Sequence, residues 1–229
     1  MDGRVLSFRL AGINNQNFIM RDNETGSWWQ QVSGKAILGP LKGKALERVF
    51  HDELTFAEWK KEVAGGRVLA PAADSAWRTF SEDWEAETAL EPVRMPAPLD
   101  SRLPPRTIIL GIVAGGSDKA YPLDRVLAQA PLHDRLGNVP IVLLVGPDGK
   151  SVRAFELRLD TMELELVRPV DGVPGEVADV STGSRWSFTG EAVSGPLKGR
   201  RLTPVYVLKD YWFDWVNYHP QTALYLLGS

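Results

Sequence analysis

Short runs in which apolar and polar residues alternate occupy much of the chain, and a period of two predicts β-strands. The stretch SWWQQVSGKAILG, from Ser27, alternates around a central glycine and predicts a β-hairpin or a bent pair of strands. TIILGIVA and NVPIVLLV, from Thr107 and Asn138, are continuously apolar, which predicts buried strands. The second of these continues through a turn at Asp148 and Gly149 into a return strand.

Helical periodicity is confined to short segments. Thr55 and Glu58 have the spacing of a capping box at the start of TFAEWKKEV, and the later segment DYWFDWVNYHP predicts a helix that Pro220 ends. A third segment, SAWRTFSEDWEAET, places three aromatic residues at helical spacing: Trp77, Phe80 and Trp84. The predicted fold class is therefore α+β, mainly β.

One sequence motif occurs twice, and this repetition dominates the predicted architecture. TGSWWQQVSGKAILGPLKG begins at Thr25, and TGSRWSFTGEAVSGPLKG begins at Thr182. The offset is 157 up to Trp29 and Trp186, and 156 from Gly34 onward. This spacing far exceeds the roughly 20–50 residues of a solenoid unit. We therefore predict two related β-rich half-units with short helices, arranged as a pseudo-twofold duplication.

The predicted domain limits follow from the repeat and from local composition. Residues 1–70 form the first repeat unit, residues 71–106 a Pro- and Ala-rich linker with a short helix, and residues 107–229 the second repeat unit. The start of the chain, MDGRVLSFRL, resembles only the turn and return strand of PIVLLVGPDGKSVRAFELRL. The first unit is thus expected to lack its leading strand. We favour truncation of a longer protein over loss of the strand, because an unpaired strand edge promotes aggregation.

Composition narrows the possible functions. The 229 residues are 44% hydrophobic and 24% charged, as in ordinary globular proteins, and the net charge of −3 offers no large basic field for nucleic acid. No apolar run reaches the roughly 20 residues that span a bilayer, and the N-terminus lacks the apolar core of a signal peptide. The absence of cysteine excludes disulfides, thiolate catalysis and cysteine-ligated metals.

Four segments together are similar to those of a known family: DNETGSWWQQVSGKAILGPLKGKAL, GGSDKAYPLDRV, GNVPIVLLV and TGSRWSFTGEAVSGPLKGRRL. Over nearly its full length the chain resembles the bacterial domain of unknown function family 3179. The resemblance implies no activity, but it implies an exported or membrane-tethered protein and hence a periplasmic or extracellular location. Family members commonly carry a Cys-Pro-Leu-Cys-like segment where this chain has GPDG at Gly146, so a redox or metal role of that segment is absent at this position. The alternative is a similar segment before Met1 in a longer parent protein.

Familiar catalytic and metal-binding motifs are missing from the sequence. The three histidines, His51, His133 and His219, do not pair at ligand spacing. The motif GPLKG lacks a helix directly after it, and its proline removes a backbone donor, so it does not match a phosphate-binding loop. No serine occupies a G-x-S-x-G elbow. We therefore predict no cofactor and no metal site.

The most distinctive polar run is GINNQNFIM, which contains four consecutive amides and has no counterpart in the second copy. Amides both donate and accept hydrogen bonds and suit a sugar, a peptide or a carboxylate, whereas the alternative is that they bond to the backbone of an irregular loop. We also predict that two tryptophans of the repeated motif and one tyrosine line a shared cleft. The alternative is that these side chains are buried in the core. The predicted ligand-binding residues are Asn14, Asn15, Gln16, Asn17, Trp29, Tyr121 and Trp186.

The function predicted from these features is a non-catalytic ligand- or protein-binding module with a cleft between the two repeats. One alternative is an enzyme that uses acids and amides in that cleft. Another is a degenerate, cysteine-less relative of a redox or metal-dependent protein. The sequence predicts neither a nucleic-acid partner nor a membrane span, and it does not identify the small molecule or protein that would bind.

Overall fold

Antiparallel β-strands form most of the ordered structure, in agreement with the alternating pattern. The computed structural model describes residues 1, 3–15, 17–70, 83–95 and 98–226. The strands are β1 (Phe8–Asn14), β2 (Asn17–Asp22), β3 (Trp28–Gln30), β4 (Ala36–Leu38), β5 (Ile108–Ala114), β6 (Ser117–Pro122), β7 (Leu132–Leu136), β8 (Val139–Val145), β9 (Val152–Glu156), β10 (Arg158–Leu159), β11 (Met162–Glu163), β12 (Leu166–Val167), β13 (Val177–Asp179), β14 (Arg185–Trp186), β15 (Ala192–Ser194), β16 (Pro204–Val205), β17 (Val207–Tyr211) and β18 (Ala223–Leu224). The helices are α1 (Phe56–Glu62), α2 (Trp84–Leu90), α3 (Leu123–Gln129) and α4 (Trp212–Tyr218). The predicted class, α+β and mainly β, is confirmed.

The four helices of the described residues are short, and their ends follow the local sequence. The hydroxyl of Thr55 accepts a hydrogen bond from the backbone N–H of Glu58 at 3.2 Å, which caps α1 as predicted. The helix α4 ends just before Pro220, also as predicted. The helix predicted around Trp77 and Phe80 lies partly outside the described residues, which contain only its C-terminal part as α2. No helix in the described ranges is long and apolar enough to cross a membrane.

The chain divides into two compact units. Unit 1 comprises residues 1–50 and 92–101, and unit 2 comprises residues 51–91 and 102–229. The domain limits predicted from the sequence, 1–70, 71–106 and 107–229, describe the repeat rather than these compact units, and they stay a prediction. The described residues of unit 1 contain one antiparallel sheet, with strand order β1-β2-β3-β4.

Unit 2 is built around the strand β8, which is buried on both faces. Its Val142 and Leu144 belong to one apolar cluster, together with Leu166, Val177 and other residues of the sheet β12-β13-β14-β15. The alternate residues of β8 belong to a second cluster, with side chains from the sheet β17-β5-β6-β18 and from α3. Burial on both faces explains why NVPIVLLV reads as a continuous apolar run. The turn from β8 to β9 is the hairpin predicted at Asp148.

The two copies of the repeated motif form sheets of the same local design. Trp29 pairs with Ala36 across a β-bulge in unit 1, and Trp186 pairs with Ala192 across a β-bulge in unit 2. In each copy a glycine with positive φ, Gly39 or Gly195, follows the last strand. Its Cβ position lies within 3 Å of the Cα of the motif serine, so only glycine fits without displacing the backbone. A common origin of the two sheets, by internal duplication, stays a prediction.

Candidate functional site

The first motif is organised by a buried carboxylate, Asp22, which is 1% exposed. Its Oδ2 accepts hydrogen bonds from Trp29 Nε1 at 2.8 Å and from the N–H of Ser27 at 3.1 Å. Its Oδ1 accepts from the N–H of Thr25 at 2.5 Å and of Gly26 at 3.2 Å. Burial alone raises the pKa of Asp22, but the hydrogen bonds from Trp29, Thr25 and Gly26 outweigh it and lower the pKa to about 2. This carboxylate therefore stabilises the turn and the tryptophan, and all of these contacts lie within the motif.

The second motif repeats the turn but not the bond to the tryptophan. Asp179 accepts hydrogen bonds from the N–H of Thr182 at 2.8 Å and of Glu165 at 3.1 Å. The Nε1 of Trp186 is buried and has no hydrogen-bond partner among the described residues. In both copies the Oγ of the motif serine accepts a hydrogen bond from the backbone N–H of the leucine in GPLKG, at 3.0 Å. The aspartate and serine side chains of the two motifs therefore accept hydrogen bonds from backbone N–H groups and stabilise the turns.

The three aromatic residues predicted to line a cleft are all fully buried, each at 0% exposure: Trp29, Trp186 and Tyr121. The hydroxyl of Tyr121 donates to Asp134 Oδ2 at 2.7 Å, and Lys119 Nζ lies 2.7 Å from the same oxygen. Burial raises the pKa of Tyr121, and the hydrogen bond and negative charge of Asp134 raise it further. A ligand role for these three residues stays a prediction.

The amide run forms the tip of the hairpin between β1 and β2. Asn14 pairs with Asn17, which leaves a two-residue turn between them. Asn15 has a φ of 50°, the left-handed conformation that asparagine adopts more readily than most residues. Asn14 is exposed, Asn15 and Asn17 are half-buried, and Gln16 lies outside the described residues. The sequence pattern is therefore that of a tight turn, and the ligand-binding role of the amides stays a prediction.

This hairpin is where the two sheets differ most. β1 has seven residues where the matching strand β12 has two, and β2 has six where β13 has three. The match can be fixed by register, because Phe8 pairs with Asp22 as Leu166 pairs with Asp179. The first sheet therefore extends beyond the part that the two copies share. We call the described residues of this extra part, 10–15 and 17–19, the hairpin extension.

One face of the hairpin extension carries an exposed apolar surface. Leu10 pairs with Met20, and Ile13 pairs with Phe18, so these side chains lie on the face that also carries Trp29. Leu10, Ile13 and Phe18 are 58%, 66% and 48% exposed, and we call these three residues the hairpin patch. Asp22, which is buried, is the sole charged residue that the described strand pairing places on this face. An apolar surface of this kind is typical of a protein-binding site.

The opposite face of the same strands is cationic. Arg9 pairs directly with Arg21, and like charges in this position repel. Arg21 Nε donates to the carbonyl of Gly26 at 3.1 Å, whereas Arg9 is exposed and has no ion-pair or hydrogen-bond partner for its side chain among the described residues. Residues 1–50 contain seven Lys and Arg residues against four Asp and Glu residues, a net charge of +3, whereas the whole chain carries −3.

A separate group of interest in unit 2 is a pair of carboxylates at the start of α4. Burial, followed by the charge of Asp214, raises the pKa of Asp210 to about 7. The N–H of Tyr211 donates to Asp210 Oδ1 at 2.7 Å, which opposes this rise. Within the described part of the chain, no group of three or more His, Asp or Glu side chains is arranged to hold a metal ion.

Sequence reasoning identified the hairpin tip but missed the hairpin patch beside it. Strict alternation along FRLAGIN would place Leu10 and Ile13 on opposite faces, and the β-bulge between Leu10 and Gly12 brings them onto one face. A sequence pattern also does not show whether another layer covers a face, so the exposure of Leu10, Ile13 and Phe18 required the structure.

Comparison with known proteins gives one match. A family model described as "Protein of unknown function (DUF3179)" matches residues 1–222 of the 229-residue chain. No curated protein and no solved structure matches the chain.

Proposed function

Since the chain belongs to the family described as Protein of unknown function (DUF3179), a description that assigns no activity, we propose a function from its own geometry. The protein is a non-catalytic protein-binding module, and its binding surface is the hairpin patch of unit 1. The observation that carries this proposal is the exposure of Leu10, Ile13 and Phe18 on an extension that the second sheet lacks. The family resemblance inferred from the sequence motifs is confirmed by the match.

The energetics favour an interaction role for this surface over a purely structural one. Burial of a large aliphatic or aromatic side chain stabilises a folded protein by roughly 1.5–3 kcal/mol, and an exposed side chain contributes little of this. Three such side chains lie on a face where the described strand pairing places no charged group other than the buried Asp22, and they form an apolar patch that a partner can desolvate.

The test is site-specific photo-cross-linking in the cells that naturally produce the protein. A benzophenone amino acid replaces Phe18, and the expected result is one adduct with a partner that mass spectrometry identifies. The same cross-linker at Val170, which is fully exposed in unit 2, is the control and is expected to give no adduct with that partner.

The specificity of the adduct is tested by changing the patch without moving the cross-linker. Ile13→Ser and Leu10→Ser are expected to abolish the adduct at position 18, while the thermal unfolding temperature stays unchanged because both side chains are exposed. An adduct that persists in both variants, or that forms equally from position 170, would show that the hairpin patch is not the binding surface.

An enzyme remains a second candidate, because carboxylates with strongly raised pKa values concentrate at catalytic sites. The observation in its favour is the pKa of about 7 for Asp210, next to Asp214. An activity screen with hydrolysable esters, glycosides and phosphates tests it. An activity that Asp210→Asn abolishes while folding is retained supports the enzyme, and the absence of turnover for every substrate class argues against it.

A further inference from the structure

The strand β1 lies at the edge of its sheet, next to the hairpin patch. Among the described strands, in the order β1-β2-β3-β4, β1 has a neighbour on one side only. The N–H of Asn23 donates to the carbonyl of Ser7 at 2.9 Å, so the backbone groups of Ser7 point toward β2. Backbone groups alternate in direction along an antiparallel strand, and those of Phe8 and Leu10 therefore point away from β2. An edge of this kind is a template for a further strand.

The two faces of β1 have different chemistry at this edge. Phe8 and Leu10 lie on the apolar face, and the Phe8 ring contacts Trp29 edge-to-face with centroids 5.8 Å apart. Arg9, between them, lies on the opposite face beside Arg21. A strand added along β1 would place alternate side chains next to these two faces. Apolar side chains suit the first face, and acidic side chains suit the second, because they would offset the repulsion between the two arginines.

From this arrangement, and resting on the proposed protein-binding function, we propose that the partner inserts an extended segment with alternating apolar and acidic residues, which adds as a strand to the free edge of β1 between Ser7 and Leu10. The backbone of the segment bonds to the outward groups of Phe8 and Leu10. Its apolar side chains extend the hairpin patch, and its acidic side chains lie beside Arg9. The positive charge of residues 1–50 favours the approach of such a segment.

A second copy of this chain is a poor occupant of the same edge. When two copies of β1 pair in antiparallel orientation, each strand brings an arginine at position 9 to the same face, and the cations repel. The β-bulge between Leu10 and Gly12 also interrupts regular pairing beyond Leu10. The added strand is therefore expected to be short and to pair with the N-terminal half of β1.

The experiment uses the full chain and a fluorescein-labelled heptapeptide in which valine and glutamate alternate. Fluorescence anisotropy is expected to show saturable binding, and a matched peptide of valine and lysine is expected to bind at least about tenfold more weakly. Arg9→Glu should reverse this preference, whereas Lys42→Glu, the same charge change at an exposed turn of unit 1, should leave it unchanged. Reversal of the preference also shows that the Arg9→Glu variant is folded.

Hydrogen exchange distinguishes strand addition from docking on the face alone. With the valine–glutamate peptide bound, the amides of Phe8 and Leu10 are expected to gain protection, and a peptide N-methylated on its alternate, pairing amides is expected to lose binding. Binding without this protection, or self-association of the chain through β1, would overturn the strand-addition proposal.

The two proposals fail in different ways. If neither peptide binds but the cross-link from position 18 forms and depends on Ile13, the hairpin patch binds a protein by another geometry and strand addition is wrong. If the cross-link also fails, the proposed function is wrong as well.

Discussion

The buried carboxylate of Asp22 gives the sharpest test of how unit 1 is held together. In Asp22→Asn the side chain keeps its shape but loses its charge, and its NH₂ group replaces one of the two accepting oxygens. That NH₂ group then faces other donors, which are either Trp29 Nε1 and the N–H of Ser27 or the N–H groups of Thr25 and Gly26. A hydrogen bond to a charged group contributes about 1.5–3 kcal/mol, and the loss of several is only partly additive. We therefore expect unit 1 to lose about 2–3 kcal/mol of stability at neutral pH.

The dependence of this loss on pH provides an independent check. The pKa of Asp22 falls from 3.8 to about 2 in the folded state, so its contribution to stability is present above pH 4 and disappears as the pH falls toward 2. The shift corresponds to about 2 kcal/mol, because one pKa unit is worth about 1.4 kcal/mol. The difference between wild type and variant should shrink by this amount between pH 5 and 2.

Hydrogen exchange of peptides covering residues 17–46 measures the stability of unit 1 separately from unit 2. The matched control is Asp179→Asn, which removes the equivalent carboxylate from a motif whose tryptophan has no bond to it. Asp179→Asn is expected to lower the stability of unit 2 by less than Asp22→Asn lowers the stability of unit 1. An Asp22→Asn variant with wild-type protection at pH 7, or a difference that does not change with pH, would refute this account of the motif.

Three further predictions concern other parts of the chain. Asp210→Asn should remove a fall in melting temperature that the wild type shows between about pH 4 and 7. The folded pKa of Asp210 is raised from 3.8 to about 7, so the unfolded state ionises first and stability is lost as the pH rises through this window; an identical pH profile would contradict this. Gly39→Ala should lower the free energy of unfolding by more than the roughly 1–2 kcal/mol expected for a left-handed alanine, because the added Cβ would lie 2.8 Å from Ser27 Cα. Gly43 also has a positive φ but open space around its Cβ position, so Gly43→Ala should lower it by only roughly 1–2 kcal/mol in urea titrations. Arg153→Ala breaks ion pairs with Asp52 and Glu62 and should speed the hydrogen exchange of the α1 amides. Arg135→Ala, at the more exposed pair with Glu163, should lower the free energy of unfolding by at most about 1 kcal/mol. Equal effects of the two variants would show that the contacts of Arg153 do not stabilise α1.

Local signals in the sequence were sufficient for much of the fold. Capping by Thr55, termination before Pro220 and the apolar run of β8 each depend on residues that are neighbours in the chain, and each prediction is confirmed. The pairing of β17 with β5 depends on a contact between distant segments, and no local pattern indicates it. The short bridge pairs that join Lys35 to Ala45 and Glu191 to Arg201 also escape the period-of-two rule.

The site proposed from the structure lies beside the amide run that the sequence singled out, but it consists of other side chains. The amides at Asn14 and Asn15 marked the point where the two motifs diverge, and the structure shows that they close a hairpin. Composition suggested hydrogen bonding to a ligand, whereas the exposed side chains beside the turn are apolar. Burial depends on packing partners from elsewhere in the chain, which explains why Trp29 and Tyr121 were candidates in the sequence and are core residues in the structure.

The pairing of β17 with β5 has a consequence for the protein during its synthesis. The partner that covers the outer side of β5 begins at Val207, whereas β5 itself ends at Ala114. At the usual rate of 5–20 residues per second, the ribosome needs about 5–20 s to make the chain between them. Throughout that interval one edge of this strongly apolar strand stays unpaired in the nascent polypeptide, so its yield in an expression host should depend on chaperones that shield such edges until β17 has been made.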